Sequence, residues 1–145
     1  MKTYKQLYTQ VIEFDALYAA FLRARRGGKR GKAEVAAFEY HLEEELWRLH
    51  EELAAFTYQP GAYRNFYIIE RKKRKISAAP FRDRVVHHAL CAAIQPIFEA
   101  RMIADSYACR VGKGTHRAAD RAQDFARGDR YVLKCDVQQF FDSTC

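Results

Sequence analysis

The sequence predicts an α+β fold, and three observations predict it. Apolar side chains recur at helical spacing in two stretches before Pro60. Tyr63 to Glu70 alternates and is aromatic and β-branched, with a second short extended run, Ile76 to Ala79, close behind it. An apolar run, Tyr131-Val132-Leu133, then leads into Asp136. At 145 residues, with 49% hydrophobic and 14% aromatic side chains, the chain can bury a core of its own, which excludes the disordered and low-complexity classes.

Leu7, Val11, Phe14, Tyr18 and Phe21 mark the apolar face of a first helix running from about Tyr4 to Arg25. Gly27-Gly28-Lys29-Arg30-Gly31-Lys32 follows as a basic loop, because glycine frees the backbone and the like charges repel. It reads equally as a solvated turn and as a phosphate contact. Val35, Phe38, Leu42, Leu46, Leu49, Leu53 and Phe56 form the stripe of a second helix, with Trp47 beside it and glutamates opposite. The pair reads as an antiparallel helical hairpin over residues 1–60, closed by the Gln59-Pro60-Gly61 turn. The strand from Tyr63 returns across Arg71-Lys72-Lys73-Arg74, which makes a wholly basic hairpin tip. Asp83 opens a third helix with Val86, Leu90, Ala93 or Ile94, and Ile97 on its buried face, and Pro96 kinks or restarts it. Thr115 caps a fourth helix through Phe125, and Gly128-Asp129 turns into the last strand.

Charge is segregated along the chain. The formal net charge is +7, yet the second helix carries Glu34, Glu39, Glu43, Glu44, Glu45, Glu51 and Glu52 against Arg48 alone, which opposes nucleic acid there. The basic residues gather instead in Arg23 to Lys32 and in Arg64 to Arg84. Cys91, Cys109, Cys135 and Cys145 are far apart with no ligand spacing, so zinc is not expected and they read as reduced core or near-core thiols. His87, His88 and His116 read as packing or capping residues. With neither a signal segment nor a membrane-spanning run, a cytoplasmic chain is the default expectation.

Three blocks stand in order before the Asp136 segment: Ser77-Ala78-Ala79-Pro80-Phe81-Arg82-Asp83-Arg84 with His87-His88, then Pro96-Ile97-Phe98-Glu99, then Ser106-Tyr107-Ala108-Cys109-Arg110-Val111-Gly112-Lys113-Gly114-Thr115-His116. With Asp136-Val137-Gln138-Gln139-Phe140-Phe141 they resemble the fingers and early palm of bacterial and phage-type reverse transcriptases over roughly residues 55–143. The wording is most similar to the enzymes of diversity-generating retroelements, with group II intron and retron enzymes as relatives. The resemblance implies a right-hand polymerase: fingers over residues 61–128 and the start of the palm over 129–145, cut off before the palm is complete. It implies RNA-directed DNA synthesis, with template RNA, a primer or cDNA strand and deoxynucleoside triphosphates as partners, and a small basic accessory protein in the retroelement case.

By the same resemblance Asp136 is the catalytic carboxylate and, with the Val137 carbonyl, a ligand of Mg²⁺ or Mn²⁺. Gln139 and Phe140 offer backbone groups to the triphosphate, and Phe141 is the steric gate against a 2′-hydroxyl. Lys72 and Arg74 grip the triphosphate with Arg82 in support, although Arg71 replaces the family's proline and leaves the register open among Arg71, Lys72, Lys73 and Arg74. Arg110, Lys113 and Gly114 form a basic, backbone-accessible loop suited to a template or primer phosphate, or an ordinary helix entry. Asp142 with Ser143 caps whatever helix follows. The Tyr-x-Asp-Asp element of the family is missing, since no Asp-Asp occurs in these residues. The chain alone is therefore expected to be inactive, the alternatives being a non-catalytic RNA- or DNA-binding module or an interaction domain that pairs with a separately encoded palm.

Overall fold

A computed structural model describes residues 3–29, 31–70 and 72–137. The elements are α1 (Leu7–Ile12), α2 (Phe14–Ala24), α3 (Ala33–Tyr40), α4 (Leu42–Ala54), β1 (Arg64–Ile69), β2 (Lys73–Ala78), α5 (Phe81–Glu99) and α6 (Thr115–Gly128), an α+β arrangement with one two-stranded antiparallel sheet. The chain divides into two compact units, Met1–Phe98 and Glu99–Cys145.

Each helix of the expected hairpin is broken once. Glu13 adopts extended angles (φ −54°, ψ 138°) between α1 and α2, which resets the helical phase. Beyond the break Leu17, Ala20, Phe21 and Ala24 face the core, while Tyr18, expected inside, is left 43% exposed. The Ile12 carbonyl at the break meets the His50 ring Nδ1 at 2.7 Å, and the Tyr8 hydroxyl donates to the Leu53 carbonyl at 2.6 Å. These bonds fasten α1 to α4 and satisfy backbone groups that a helix end would orphan.

The break at His41 leaves the second stripe intact, with Val35, Phe38, Leu46, Leu49 and Leu53 buried. Phe56 does not belong to it. It follows the helix in a left-handed conformation (φ 58°), its N–H bonded to the Leu53 carbonyl and that of Thr57 to the Glu52 carbonyl. That paired pattern is a Schellman ending, with phenylalanine where glycine is usual. Its ring, 79% exposed, stacks on Tyr8 at 5.1 Å.

Phe21, Phe38 and Phe81 meet at the centre of this unit, with ring centroids 5.3–6.1 Å apart, and join α2, α3 and α5. The buried face of α5 is Phe81, Asp83, Val85 and Ala89, with Val86 and Ala93 partly buried and Leu90 46% exposed. The expected face was rotated because it started the helix at Asp83, leaving out Phe81, the first residue of the helix, and did not count Asp83 among the buried residues. Pro96 sits inside the last turn, where α5 continues to Glu99 without restarting.

Two further expectations are corrected. Cys91, Cys109 and Cys135 are exposed free thiols rather than core residues, Cys91 because the inward face of α5 runs through Val85 and Ala89. Cys145 lies outside the described residues. The N-cap of α6 is Gly114 (φ 107°, ψ 177°), not Thr115, and α6 continues past Phe125 to Gly128. No helix among the described residues is long and apolar enough to cross a membrane.

Candidate nucleotide and nucleic-acid site

The β-hairpin carries Arg64, Lys72, Lys73, Arg74 and Lys75, all of them exposed. Its register pairs Arg64 with Ala78, Phe66 with Ile76, Ile68 with Arg74 and Ile69 with Lys73, leaving residues 70–72 as the connection. Strand β2 thus begins within the basic run, and Lys73, Arg74 and Lys75 are strand residues, while Glu70 joins Lys72 in the loop. The tip is therefore not wholly basic. Facing pairs share a side of the pleat, so Arg74 projects on the side of Phe66, Ile68 and Ile76, and Lys73 and Lys75 on the side of Tyr67. The Lys73 ammonium stands 4.4 Å from the Tyr67 ring centroid. Lys72 and Arg74 have no acidic partner among the described residues and are exposed. Arg71 lies outside those residues.

An isolated two-stranded ribbon is marginal in water, so the base of the hairpin must be held. Asp83 holds it. Its carboxylate, 2% exposed, accepts the Tyr58 hydroxyl at 2.6 Å and the Gly61 N–H at 2.8 Å, fixing the segment that leads into β1. Burial, and next the bond to Asp83, push the Tyr58 phenol above its ordinary range. Gly61 is required for space, since a Cβ there would stand 2.8 Å from Pro80 Cγ. Sequence reading missed this anchor. The available signal was an acidic side chain in the first turn of a helix just after a proline, where the helix dipole favours negative charge.

Arg82 points back to the acidic helix α4. Its guanidinium reaches Glu52 at 2.6 Å and Glu45 at 3.8 Å and lies 5.5 Å from the Tyr58 ring. Lys72 and Arg74, by contrast, have no such carboxylate partner among the described residues.

In the second unit Arg110 organises the connection between α5 and α6. Its Nε bonds Glu99 at 2.6 Å and its Nη1 donates to the carbonyls of Ile103 and Ser106 at 2.9 and 3.1 Å. Lys113 donates to the Ala104 carbonyl and its ammonium lies 4.8 Å from the Tyr107 ring, and Arg117 donates to the Gly112 carbonyl. Gly114 supplies a backbone conformation that a side chain would disfavour. Arg121 bonds Asp105 at 2.9 Å and holds its carboxyl below the ordinary range. The expected phosphate-contacting residues thus also hold the loop together.

Residues 131–137, expected as the first palm strand, form no strand among the described residues. Tyr131, Val132 and Leu133 are 79–90% exposed, and Val137 is 65% exposed. A strand needs a ladder partner for its backbone groups, and the one sheet among the described residues pairs β1 with β2 and does not include this segment. Asp136 lies in this segment. Gln139, Phe140, Phe141, Asp142 and Ser143 lie outside the described residues. No group of three or more His, Cys, Asp or Glu side chains able to hold a metal occurs among the described residues. One carboxylate and one carbonyl would supply only part of the octahedral shell of Mg²⁺, so a metal at Asp136 would take its remaining donors from water, phosphate or further carboxylates.

Comparison with known proteins agrees with the reading in outline. The chain is similar to protein YkfC of Escherichia coli strain K12, at 32% identity over 107 residues, covering 68% of this chain and 28% of that protein. It is similar to nuclear intron maturase 1, mitochondrial, of Arabidopsis thaliana at 34% identity over 62 residues, 43% of this chain and 9% of that protein. Against the group II intron-encoded protein LtrA of Lactococcus lactis subsp. cremoris the identity is 23% over 148 residues, covering 98% of this chain and 24% of that protein. No family model matches the chain. The chain is thus similar, at low identity, to an intron maturase and a group II intron-encoded protein, and it spans less than a third of the length of each of these relatives.

Proposed function

We propose that the chain is the fingers and early-palm portion of an RNA-directed DNA polymerase, a reverse transcriptase that copies template RNA into cDNA from deoxynucleoside triphosphates. The observation that carries the reading is the hairpin with its uncompensated Lys72 and Arg74, set upstream of the Asp136 motif in a relative of group II intron-encoded proteins. In this reading Lys72 and Arg74 neutralise triphosphate charge, and Arg82 contributes only if it leaves Glu52. Asp136 and the Val137 carbonyl give part of an Mg²⁺ or Mn²⁺ site completed by carboxylates outside these residues. Gln139 and Phe140 line the nucleotide, and Phe141 excludes the 2′-hydroxyl. The finer assignment to a diversity-generating retroelement, with its basic accessory protein, rests on the wording of Ser77 to Arg84 and His87-His88, whereas two of the relatives are an intron maturase and a group II intron-encoded protein.

A second reading is an RNA- or DNA-binding or interaction domain that pairs with a separately encoded palm. The exposed apolar run Tyr131-Val132-Leu133 favours pairing, because a neighbouring strand would cover it. Both readings predict RNA binding that weakens as salt rises, since phosphate contacts release counterions. Lys72→Ala with Arg74→Ala should weaken that binding across unrelated sequences and flatten its salt dependence. RNA binding with unchanged affinity and salt slope in the double variant would remove the hairpin from the interface.

A further inference from the structure

A cavity of about 250 Å³ opens at the base of the β-hairpin in the first unit, away from the 70–72 loop. Lys32, Arg64 and Arg84 line it against a single carboxylate, Glu34, with Phe66 and Pro80 beside them. Arg64 opens β1 opposite Ala78, whose small side chain leaves room, and its guanidinium carbon lies 5.9 Å from the Phe66 ring centroid. Neither Lys32 nor Arg64 has an acidic partner among the described residues. Arg84 is only partly satisfied: its Nη2 donates to Glu34 at 2.5 Å, while its Nε is buried with no hydrogen-bond partner. A guanidinium carries five donors, and a buried donor left unpaired is costly.

We propose that this cavity is a phosphate-binding site for a nucleotide, free or within an RNA strand, and that Glu34 is the internal anion the phosphate displaces from Arg84. Three cations around one carboxylate repel one another until a multiply charged oxyanion joins them, and the fork of an arginine matches two phosphate oxygens at once. The half-exposed Phe66 ring gives the attached base an apolar face to lie against. The site uses residues of the first unit alone and does not rest on the polymerase reading.

Calorimetric titration of the 145-residue chain tests it with inorganic phosphate, adenosine 5′-monophosphate, and a tetraribonucleotide with hydroxyl ends. Saturable binding is expected, weakened about tenfold by Arg64→Gln, the loss of one charge-assisted contact. Lys32→Gln should weaken it in the same direction. Glu34→Gln should tighten binding several-fold, a sign that a merely structural role for Glu34 would not give. Tighter binding of the monophosphate identifies a free nucleotide as the ligand, and tighter binding of the tetranucleotide identifies the backbone. No saturable binding of any of the three would overturn the site. So would affinities unmoved by Arg64→Gln and Glu34→Gln in variants that keep the helical circular-dichroism spectrum.

Discussion

Replacing Asp83 by alanine should be among the most damaging single changes in the first unit, although Asp83 is charged and stands next to no proposed reactant. The carboxylate is 2% exposed and accepts two hydrogen bonds, from Tyr58 at 2.6 Å and Gly61 at 2.8 Å. Hydrogen bonds to a charged group contribute about 1.5–3 kcal/mol each. The sum overstates the loss, because the variant no longer carries the cost of burying a carboxylate and water can reach the half-buried Tyr58 hydroxyl. A net destabilisation of about 3 kcal/mol is expected, equivalent to a fall in Tm of about 12–24 °C for a unit of this size. Trp47 is the only tryptophan and lies in this unit, 5.0 Å from the Phe14 ring, so its fluorescence in a urea titration follows the first unit alone. A double-mutant cycle with Tyr58→Phe should return a coupling of about 1–2 kcal/mol. The pH dependence adds a second signature. Because the folded state holds the Tyr58 proton above the ordinary phenol range, stability is full below about pH 10 and falls as pH rises beyond it, where only the unfolded chain ionises. Tyr58→Phe should remove that part of the alkaline loss. A shift below about 0.5 kcal/mol in Asp83→Ala, the range of ordinary surface substitutions, would refute the anchor.

Gly61→Ala should destabilise the same unit by about 1–3 kcal/mol, since its Cβ would meet Pro80 Cγ at 2.8 Å, whereas Gly31→Ala, with open space around it, should change the urea midpoint little. His88 is disfavoured as a cation by desolvation and then by Lys29, Arg23 and Arg84, so its folded pKa lies below its unfolded one. Its contribution is full above about pH 6.5 and is lost as pH falls, because the unfolded chain takes up the proton first. His88→Gln should flatten the urea midpoint between pH 7 and 5, and an unchanged slope would remove His88 from the acid response.

The second helical stripe was legible because its hydrophobic period survives the break at His41. The first was legible only in part, because no propensity at Glu13 announces the extended residue that shifts Tyr18 outward. The anchoring role of Asp83 was missed for a related reason. Its partners lie 22 and 25 residues away, and periodicity carries no information about bonds of that span. Alternation revealed the hairpin, but the turn's end was hidden in a run of five like charges, so Arg74 was assigned to the tip rather than to the strand. Arg82, Arg110 and Lys113 show the same limit for function. Composition marks them as available cations, whereas the fold directs them to Glu52, Glu99 and the Ala104 carbonyl. The Asp136 segment reads as a strand by composition, yet strand formation depends on a ladder pairing that residues 131–137 do not make among the described residues.

The most direct test of the proposed function is primer extension on an RNA template by a polypeptide in which these 145 residues run on into a reverse-transcriptase palm carrying the Tyr-x-Asp-Asp element. The account predicts template-dependent incorporation of deoxynucleotides that Asp136→Asn lowers about 10³-fold, the scale expected when a metal-binding carboxylate is lost. Lys72→Ala with Arg74→Ala should mainly raise KM for the deoxynucleotide. Extension that proceeds equally well with Asp136→Asn would contradict the assignment of this chain to the catalytic half of a polymerase.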